Sequence, residues 1–340
     1  MIPIQNIYYM LSYAFHVLNE QGYKNLATEK FHNVAELCAA ILVKGISRQL
    51  KCGLGREYIA RTESLSILRG RIEISESIKM RSFLNRQLIC LYDEFSVNSY
   101  MNRILKTTLE LLLSANISNI RKKQLKKILV FFADVEPLDV YAINWNVQYN
   151  RNNQTYRMLI SICYLVVKGL LQTNTAGSMQ LTDFFDEQPM CRLYEKFILE
   201  YYRKEFPQIS VSSGQIPWGV DDGERAMLPV MQSDIMLEHK NKILIIDAKY
   251  YSHTTQIRYN TRTLHSNNLY QIFTYVKNKA LTVSQDVSGM LLYARTDEKF
   301  FPNNSYHMSG NEISVRTLDL NCTFFDIAAQ LNNIAKEHLL

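Results

Sequence analysis

The chain has 340 residues, of which 47% are hydrophobic and 21% are charged, and its formal net charge is +6. This length allows two domains of ordinary size, and the composition is that of a folded protein and excludes a disordered chain. The small positive excess allows an anionic partner such as nucleic acid but does not require one. The most apolar segment, residues 158–171, is too short to span a bilayer and contains Lys168, so we expect no membrane association.

The six cysteines are far apart in the sequence and form no C-x-x-C pair. We interpret them as reduced thiols in a cytoplasmic protein, with neither a disulfide framework nor a zinc site. The first basic residue is Lys24, so the N-terminus lacks the basic region of a secretory signal. The seven histidines are also spread along the chain without metal-ligand spacing.

The first half of the chain is predicted to contain helices and short strands. Apolar residues recur at helical spacing in three segments, residues 2–20, 31–50 and 100–113. Residues 56–78 alternate loosely and contain β-branched and aromatic side chains, as short strands do. A polar loop over 145–156 and a buried helix over 158–171 follow. Residues 172–178, rich in Thr, Asn, Gly and Ser, are the best linker candidate.

Basic residues at three places are candidates for contacting DNA or a partner: Arg69, Arg71, Lys122, Lys123, Arg258 and Arg262. The two arginines that flank Gly70 can hold a phosphate or an acidic edge, although solvated strand residues around a bulge are the simpler interpretation. Residues 121–127 carry five positive charges, which suit a phosphate backbone. A solvated helix face above packed apolar residues is again the simpler interpretation.

The second half has the order helix, strand, strand, helix, strand. The predicted elements are a helix over 190–206, strands over 227–237 and 243–251, a helix over 266–279, and strands over 288–294 and 313–318. A reversal at residues 239–241 makes the first two strands antiparallel neighbours. This order predicts an α/β (α+β) fold in which helices flank a central mixed sheet.

The apolar strand 243–251 contains Asp247 and Lys249, which point to the same face because strand side chains alternate. Taken alone, this pair is most simply an ion pair at a strand end. Antiparallel pairing, however, brings Asp234 of the preceding strand close to it. Two converging carboxylates suit Mg²⁺, with Mn²⁺ as an alternative, and the lysine can activate an attacking water and offset the charge of the transition state.

The pattern of Asp234 and Asp247-x-Lys249 on adjacent strands resembles the catalytic motif of the PD-(D/E)xK nuclease superfamily. Many of these enzymes contribute another acid from a helix before the motif, and Glu195 stands at that place. The resemblance therefore implies a metal site formed by Asp234, Asp247 and Glu195, with Lys249 as a catalytic residue.

The helix after the motif adds to this resemblance. Gln271 and Tyr275 stand at positions i and i+4, on one helix face. They look like the Gln-xxx-Tyr motif of the RecB-like nucleases, which implies that both are catalytic. The helix–strand–strand–helix–strand order is also that of the restriction-endonuclease fold.

Longer blocks of the sequence are similar to the McrC family, the nuclease subunits of the McrBC modification-dependent, 5-methylcytosine-specific restriction systems. They comprise residues 3–14, 70–73, 102–109, 245–251 and 265–271. Together they extend over nearly the whole chain and are more specific than the nuclease motif. The loops 213–228 and 252–264 do not match closely, so nothing is carried over to them.

This resemblance implies a Mg²⁺-dependent DNA endonuclease that works with an McrB-like AAA+ GTPase hexamer. The partner would bind GTP, recognise double-stranded DNA with modified cytosine and translocate, while this chain would cut the DNA and stimulate the GTPase. In agreement, the sequence contains no G-x-x-x-x-G-K-[ST] motif. The implied division is an N-terminal partner-docking domain over residues 1–175 and a PD-(D/E)xK endonuclease domain over residues 176–340.

Two other functions share parts of this pattern. A stand-alone RecB-like DNA repair nuclease would have the same C-terminal motif, but the N-terminal blocks and the lack of a cysteine quartet for an iron–sulfur cluster disfavour it. A non-catalytic, GTPase-activating scaffold would have a decayed site, and the intact Asp234, Asp247 and Lys249 disfavour that function.

Overall fold

The computed structural model describes residues 2–19, 26, 29–151, 153–175, 187–221, 223–224, 226–251, 256–258, 261–295 and 301–340. These residues form two compact units, one of residues 1–34 and 182–340 and one of residues 35–181. The predicted division at residue 175 differs from this grouping, because residues 1–34 group with the C-terminal residues. Within the described ranges, no helix is long and apolar enough to cross a membrane.

The elements have the following bounds. The α-helices are α1 (Ile4–Ala14), α2 (Val34–Lys51), α3 (Ile74–Lys79), α4 (Tyr100–Ser114), α5 (Asn119–Leu129), α6 (Tyr156–Thr175), α7 (Glu187–Glu205), α8 (Ser266–Thr282) and α9 (Phe324–His338). The strands are β1 (Glu57–Leu65), β2 (Arg71–Ile72), β3 (Leu88–Ser96), β4 (Ser210–Ser212), β5 (Gln215–Ile216), β6 (Met231–Gln232), β7 (Ile235–His239), β8 (Lys242–Lys249), β9 (Gln256–Arg258), β10 (Thr261–Thr263), β11 (Asp286–Ala294), β12 (Asn304–Met308) and β13 (Asn311–Leu318).

The α/β fold class and the order α7, β7, β8, α8, β11 are confirmed, but some elements differ from the prediction. The single strand predicted over 227–237 is wrong, since β6 and β7 are separated at Ser233 and Asp234. Met227 has φ 67°, a left-handed backbone conformation that a strand does not contain. Residues 172–175 of the predicted linker form the last turn of α6, and residues 176–178 lie outside the described ranges.

The unit of residues 35–181 contains a three-stranded antiparallel sheet in the order β1, β3, β2. β1 and β3 pair over nine residues without a bulge, from Glu57 opposite Ser96 to Leu65 opposite Leu88. The connection between Leu65 and Leu88 contains β2 and α3. Gly70 is required in it, because φ is 69° and an added Cβ would lie 2.3 Å from the Leu91 carbonyl oxygen.

The other unit is built on a six-stranded mixed sheet in the order β12, β13, β11, β8, β7, β4. β8, β11 and β13 are parallel to one another, and the other pairs are antiparallel. Ile243 and Ile245 of β8 pack with Ile272 and Val276 of α8, which therefore covers one face. Leu244 and the other even-numbered residues of β8 point to the opposite face, where α7 packs.

The helix α1 belongs to this unit through polar contacts as well as through its apolar face. Tyr13 Oη donates a hydrogen bond to Glu205 Oε1 of α7 at 2.8 Å. The amide of Asn6, which is 3% exposed, donates to the carbonyl oxygens of Leu320 and Cys322, at 2.8 Å each. Because these buried groups find their partners in the C-terminal part of the chain, residues 1–34 group with it.

The packing of α8 on β11 generates a prediction about stability. Gly289→Ala is expected to destabilise the unit by about 1–3 kcal/mol through overpacking. The added methyl would lie 2.6 Å from Val276 Cγ2 and 2.9 Å from Ile272 Cγ1. Gly214→Ala is the matched control, because the nearest neighbour of its methyl is 3.7 Å away. Urea denaturation of both variants measures the effect, and equal stabilities would contradict tight packing of α8 on the sheet.

Candidate active site

Asp247 and Lys249 lie at the end of β8, on the face that α8 covers. The Asp247 side chain is 1% exposed and that of Lys249 is 16% exposed. Lys249 Nζ is 2.9 Å from each carboxylate oxygen of Asp247, but only the contact with Oδ1 has hydrogen-bond geometry. Oδ2 is buried and accepts no hydrogen bond. The pair is thus a buried ion pair in which Oδ2 has an ionic contact with Lys249 but no hydrogen bond.

Asp234 reaches this pair from the break between β6 and β7. Ile235 pairs with Ile246, so Asp234 comes beside Asp247, as the predicted hairpin requires. The reversal is confirmed between His239 and Lys242. Asp234 Oδ2 accepts a hydrogen bond from the Ala248 amide at 3.0 Å, and this bond holds the carboxylate at the end of β8.

The two carboxyl groups perturb each other. Burial raises the pKa of Asp247, and the charge of Asp234 raises it further, against the opposing effect of Lys249. Burial also raises the pKa of Asp234, while Lys249 and the Ala248 amide favour its ionised form. Burial alone would lower the pKa of Lys249, but the charge and the hydrogen bond of Asp247 outweigh the effect of burial, and the pKa of Lys249 is raised. The ammonium is therefore retained at neutral pH.

Glu195 lies on α7, in electrostatic range of the same groups. Burial raises the pKa of Glu195 to about 7, and the charge of Asp234 adds to this effect. The described residues contain no group of three or more His, Cys, Asp or Glu side chains arranged to hold a metal ion. Glu195 thus adds negative charge near the pair, and its role as a third metal ligand stays a prediction.

Gln271 and Tyr275 on α8 complete a chain of hydrogen bonds. Lys249 Nζ donates to Gln271 Oε1 at 3.4 Å, and Gln271 Nε2 donates to Tyr275 Oη at 2.9 Å. The Gln271 amide is thus oriented with its oxygen toward the ammonium. The structure brings together Asp234, Asp247, Lys249, Gln271 and Tyr275, which sequence spacing and resemblance had singled out separately.

Two predicted contact residues lie in the unit of residues 35–181 and are bonded within the protein. The Arg69 guanidinium lies 4.1 Å from the ring centroid of Tyr92, as in a cation–π contact. Arg71 Nε donates a hydrogen bond to Glu73 Oε1 at 2.9 Å. Arg71 is the first residue of β2, which fits the simpler interpretation of a strand residue, whereas Arg69 lies in the connection between β1 and β2 and is not a strand residue.

The other predicted basic residues give less information. Lys122 and Lys123 lie on α5, above the buried residues Leu125 and Ile128, as expected for the outer face of an amphipathic helix. The side chains of Arg258 and Arg262 lie outside the described residues. All six basic residues therefore stay predictions as contacts with DNA or a partner.

Three further residues around Lys249 are not among the predicted site residues. They are Tyr251, Asn268 and Tyr293, whose polar groups are joined by hydrogen bonds at 3.3 and 3.0 Å. The sequence did contain an indication of Asn268, because it stands three positions before Gln271 and therefore lies on the same face of the predicted helix. Tyr293 is part of an apolar run, and no local pattern distinguishes its hydroxyl from that of any buried tyrosine.

The fold and the geometry define an α/β protein with a carboxylate pair and a lysine at the ends of adjacent strands, as the PD-(D/E)xK pattern implies. The family model described as McrBC 5-methylcytosine restriction system component matches residues 5–294. The chain belongs to this family. A relative from Escherichia coli strain K12, a type IV methyl-directed restriction enzyme called EcoKMcrBC, is 27% identical over 344 residues, which cover 99% of this chain and 98% of the relative.

Two solved structures from Thermococcus gammatolerans are also similar. One is a half-complex from a tetradecameric assembly of McrB AAA+ hexamers with bound McrC, with 16% identity, a TM-score of 0.47 and coverage of 98% of this chain and 76% of that chain. The other is an McrBC complex determined by cryo-electron microscopy, with 18% identity, a TM-score of 0.40 and coverage of 59% of this chain and 58% of that chain.

The raised pKa of Glu195 predicts a pH-dependent effect on stability. A carboxyl whose folded pKa of about 7 exceeds the ordinary 4.5 contributes stability that is complete below pH 4.5 and is lost as pH rises through 7. Glu195→Gln removes this ionisation, so we expect a higher unfolding temperature than wild type at pH 8 and little difference at pH 5. Thermal unfolding in EDTA measures both values. An equal shift at the two pH values would contradict the assignment.

Proposed function

We propose that this chain is the DNA-cleaving subunit of an McrBC-type restriction complex and hydrolyses phosphodiester bonds with Mg²⁺. The observation that carries the proposal is the buried Asp247 oxygen that accepts no hydrogen bond, beside a second carboxylate and a fixed ammonium. Membership of a restriction-system family supports the same conclusion.

The residues present fit a hard divalent cation. Asp234 and Asp247 offer carboxylate oxygens, which Mg²⁺ and Mn²⁺ prefer. With Glu195 nearby, three acidic groups face two cations, Lys249 and Arg192. Burial raises the pKa of all three carboxyls, and the charge of Asp234 adds to this effect for Glu195 and Asp247. A bound cation would offset this excess of negative charge, polarise the scissile phosphate and lower the pKa of a bound water. We assign Asp234 and Asp247 as its ligands.

Lys249 acts in this proposal as a charged hydrogen-bond donor. Its raised pKa keeps the ammonium protonated at neutral pH, so that it cannot take a proton from water. Asp247 and Gln271 hold the Nζ atom, while the partial exposure of the side chain leaves it accessible to substrate. From this position it orients the attacking water and stabilises the negative charge that develops on the phosphate.

The partner we infer is an McrB-like AAA+ GTPase hexamer, which would bind GTP, recognise modified cytosine in duplex DNA and be stimulated by this chain. Membership of the McrBC restriction-system family supports this inference, because the resemblance to McrC implies such a partner. The exposed surface of the unit of residues 35–181 supports it independently. The connection between β1 and β3 exposes seven large apolar side chains, which we call the tip segment: Ile67, Leu68, Ile74, Ile78, Met80, Phe83 and Leu84.

The tip segment is a candidate for docking on the GTPase. Its seven side chains are between 52% and 81% exposed, which is unusual for apolar residues in a short stretch. Leu65 and Leu88 pair directly, so the segment emerges as a unit at one end of the β1–β3 pair. A protein partner that buries these side chains would remove the cost of their exposure.

Variants of the site test the nuclease activity. Asp247→Asn and Lys249→Met are each expected to lower DNA cleavage at least about a hundredfold, because they remove a metal ligand and a fixed positive charge. The assay uses the chain with its GTPase partner, GTP, Mg²⁺ and DNA with or without methylated cytosine. Lys242→Met, at the exposed start of the same strand, is the control. Wild-type cleavage by Lys249→Met would contradict the proposal. All variants should still stimulate the GTPase, which would show that the loss of cleavage does not come from a loss of docking.

Variants of the tip segment test the docking. The double variant Met80→Asp and Leu84→Asp, which places charges on two exposed apolar positions, is expected to abolish co-purification with the GTPase while leaving the unfolding temperature unchanged. Ile120→Asp is the matched control, since Ile120 is 71% exposed on α5 of the same unit. Loss of co-purification in the control alone would place the docking surface elsewhere.

A further inference from the structure

A buried asparagine joins two tyrosine hydroxyls beside the proposed catalytic lysine. Asn268, in the first turn of α8, is 6% exposed. Its Oδ1 accepts a hydrogen bond from Tyr251 Oη at 3.3 Å, and its Nδ2 donates to Tyr293 Oη at 3.0 Å. A buried amide is costly unless both ends are bonded, so the site is specific for a side chain with one acceptor and one donor end.

Both tyrosines are immediate neighbours of Lys249. Tyr251 follows it by two positions along the chain, and Tyr293 stands directly opposite it in the parallel pair of β8 and β11. The two rings contact each other, with centroids 6.3 Å apart, and Tyr293 is fully buried. Asn268 therefore connects α8 to β11 and to the segment that follows β8, beside the Lys249 ammonium group.

Two features that usually stabilise the beginning of a helix are missing from α8. The N-cap residue, His265, makes no side-chain capping hydrogen bond, and no acidic residue stands in the first turn. One turn further, Gln271 Oε1 accepts from Lys249 Nζ at 3.4 Å, close to the upper limit for a hydrogen bond. A shift of the helix by a few tenths of an ångström would break this contact.

We propose that Asn268 is a positioning residue that, through Tyr251 and Tyr293, fixes the first turns of α8 and thereby holds the Gln271 amide against Lys249. This inference rests on the proposed nuclease function of the site. Asn268 touches neither carboxylate of the proposed metal pair, so it acts on the lysine through Gln271. Its loss should lower turnover and leave binding of metal and DNA intact.

A double-mutant cycle tests this coupling in the complete complex with the GTPase. Asn268→Leu is expected to lower kcat about 10- to 100-fold, with the KM for DNA and the Mn²⁺ affinity of the isolated chain unchanged. In a Gln271→Ala background, the same change should alter kcat by less than about threefold, because the contact it maintains is already lost. Multiplicative, independent effects would overturn the proposal.

Asn278→Leu is the matched control on the same helix. Asn278 also uses both ends of its amide, accepting from the Gly219 amide at 2.8 Å and donating to the Thr274 carbonyl at 2.8 Å, three turns away from Asn268. We expect it to leave kcat unchanged in both backgrounds. A loss of kcat equal to that of Asn268→Leu would show that general support of α8, and not the tie at Lys249, sets the rate.

Hydrogen exchange of the isolated chain provides a readout that does not depend on cleavage. Asn268→Leu should speed amide exchange in residues 266–273. Tyr293→Phe, which removes only one hydroxyl, should have the same effect and serves as the second variant if Asn268→Leu does not fold. Asn278→Leu should leave the exchange of these residues unchanged. Unchanged exchange in both variants would overturn the positioning role. If wild type fails to cut DNA while exchange responds as expected, the proposed function fails and the tie between Asn268 and α8 stands.

Discussion

The burial of the Asp247 carboxylate at the end of a parallel strand is the constraint on which the rest of the site depends. At 1% exposure, the charged form of this group has lost its hydration and must be stabilised by neighbours. Lys249 provides an opposite charge, yet a second carboxylate, Asp234, is held beside it by the Ala248 amide. An arrangement selected only for stability would not add a second acid to a buried ion pair.

The fold meets this constraint with the two strands that flank β8 and with the helix that covers the same face. β8 lies between β7 and β11. The end of β8 is therefore flanked on one side by Asp234, which precedes β7, and on the other side by side chains of β11. Asp234 lies in the break between β6 and β7 and belongs to neither strand, and Gln271 of α8 contacts Lys249 on the face that α8 covers. Each polar group is therefore placed by main-chain pairing or by a helix packed on the core, which gives the site a rigid frame.

Much of this could be predicted from the sequence because its signals are local. The aliphatic run before Asp247, the reversal at residues 239–241 and the spacing of Gln271 and Tyr275 follow from periodicities of two and 3.6 residues. The break at Asp234 could not, since β6 pairs with β5 in a separate two-stranded sheet while β7 joins the six-stranded one. The same holds for the short β2 and α3 and for the grouping of α1 with the C-terminal unit. These features arise from pairing and packing across long sequence separations, which local patterns do not encode.

The electrostatics of the site also bear on the two interpretations of Asp247 and Lys249, as a structural ion pair and as part of the proposed metal site. In a structural ion pair, each charge satisfies the other, and the pKa of the acid falls. Here the pKa of Asp247 is raised, first by burial and then by Asp234, although the ammonium is in contact with it. The described groups thus leave a surplus of negative charge that favours either protonation or the binding of a cation. A cation that binds only the folded chain stabilises it by mass action, so the proposed metal site would couple the stability of the chain to the metal that the proposed cleavage uses.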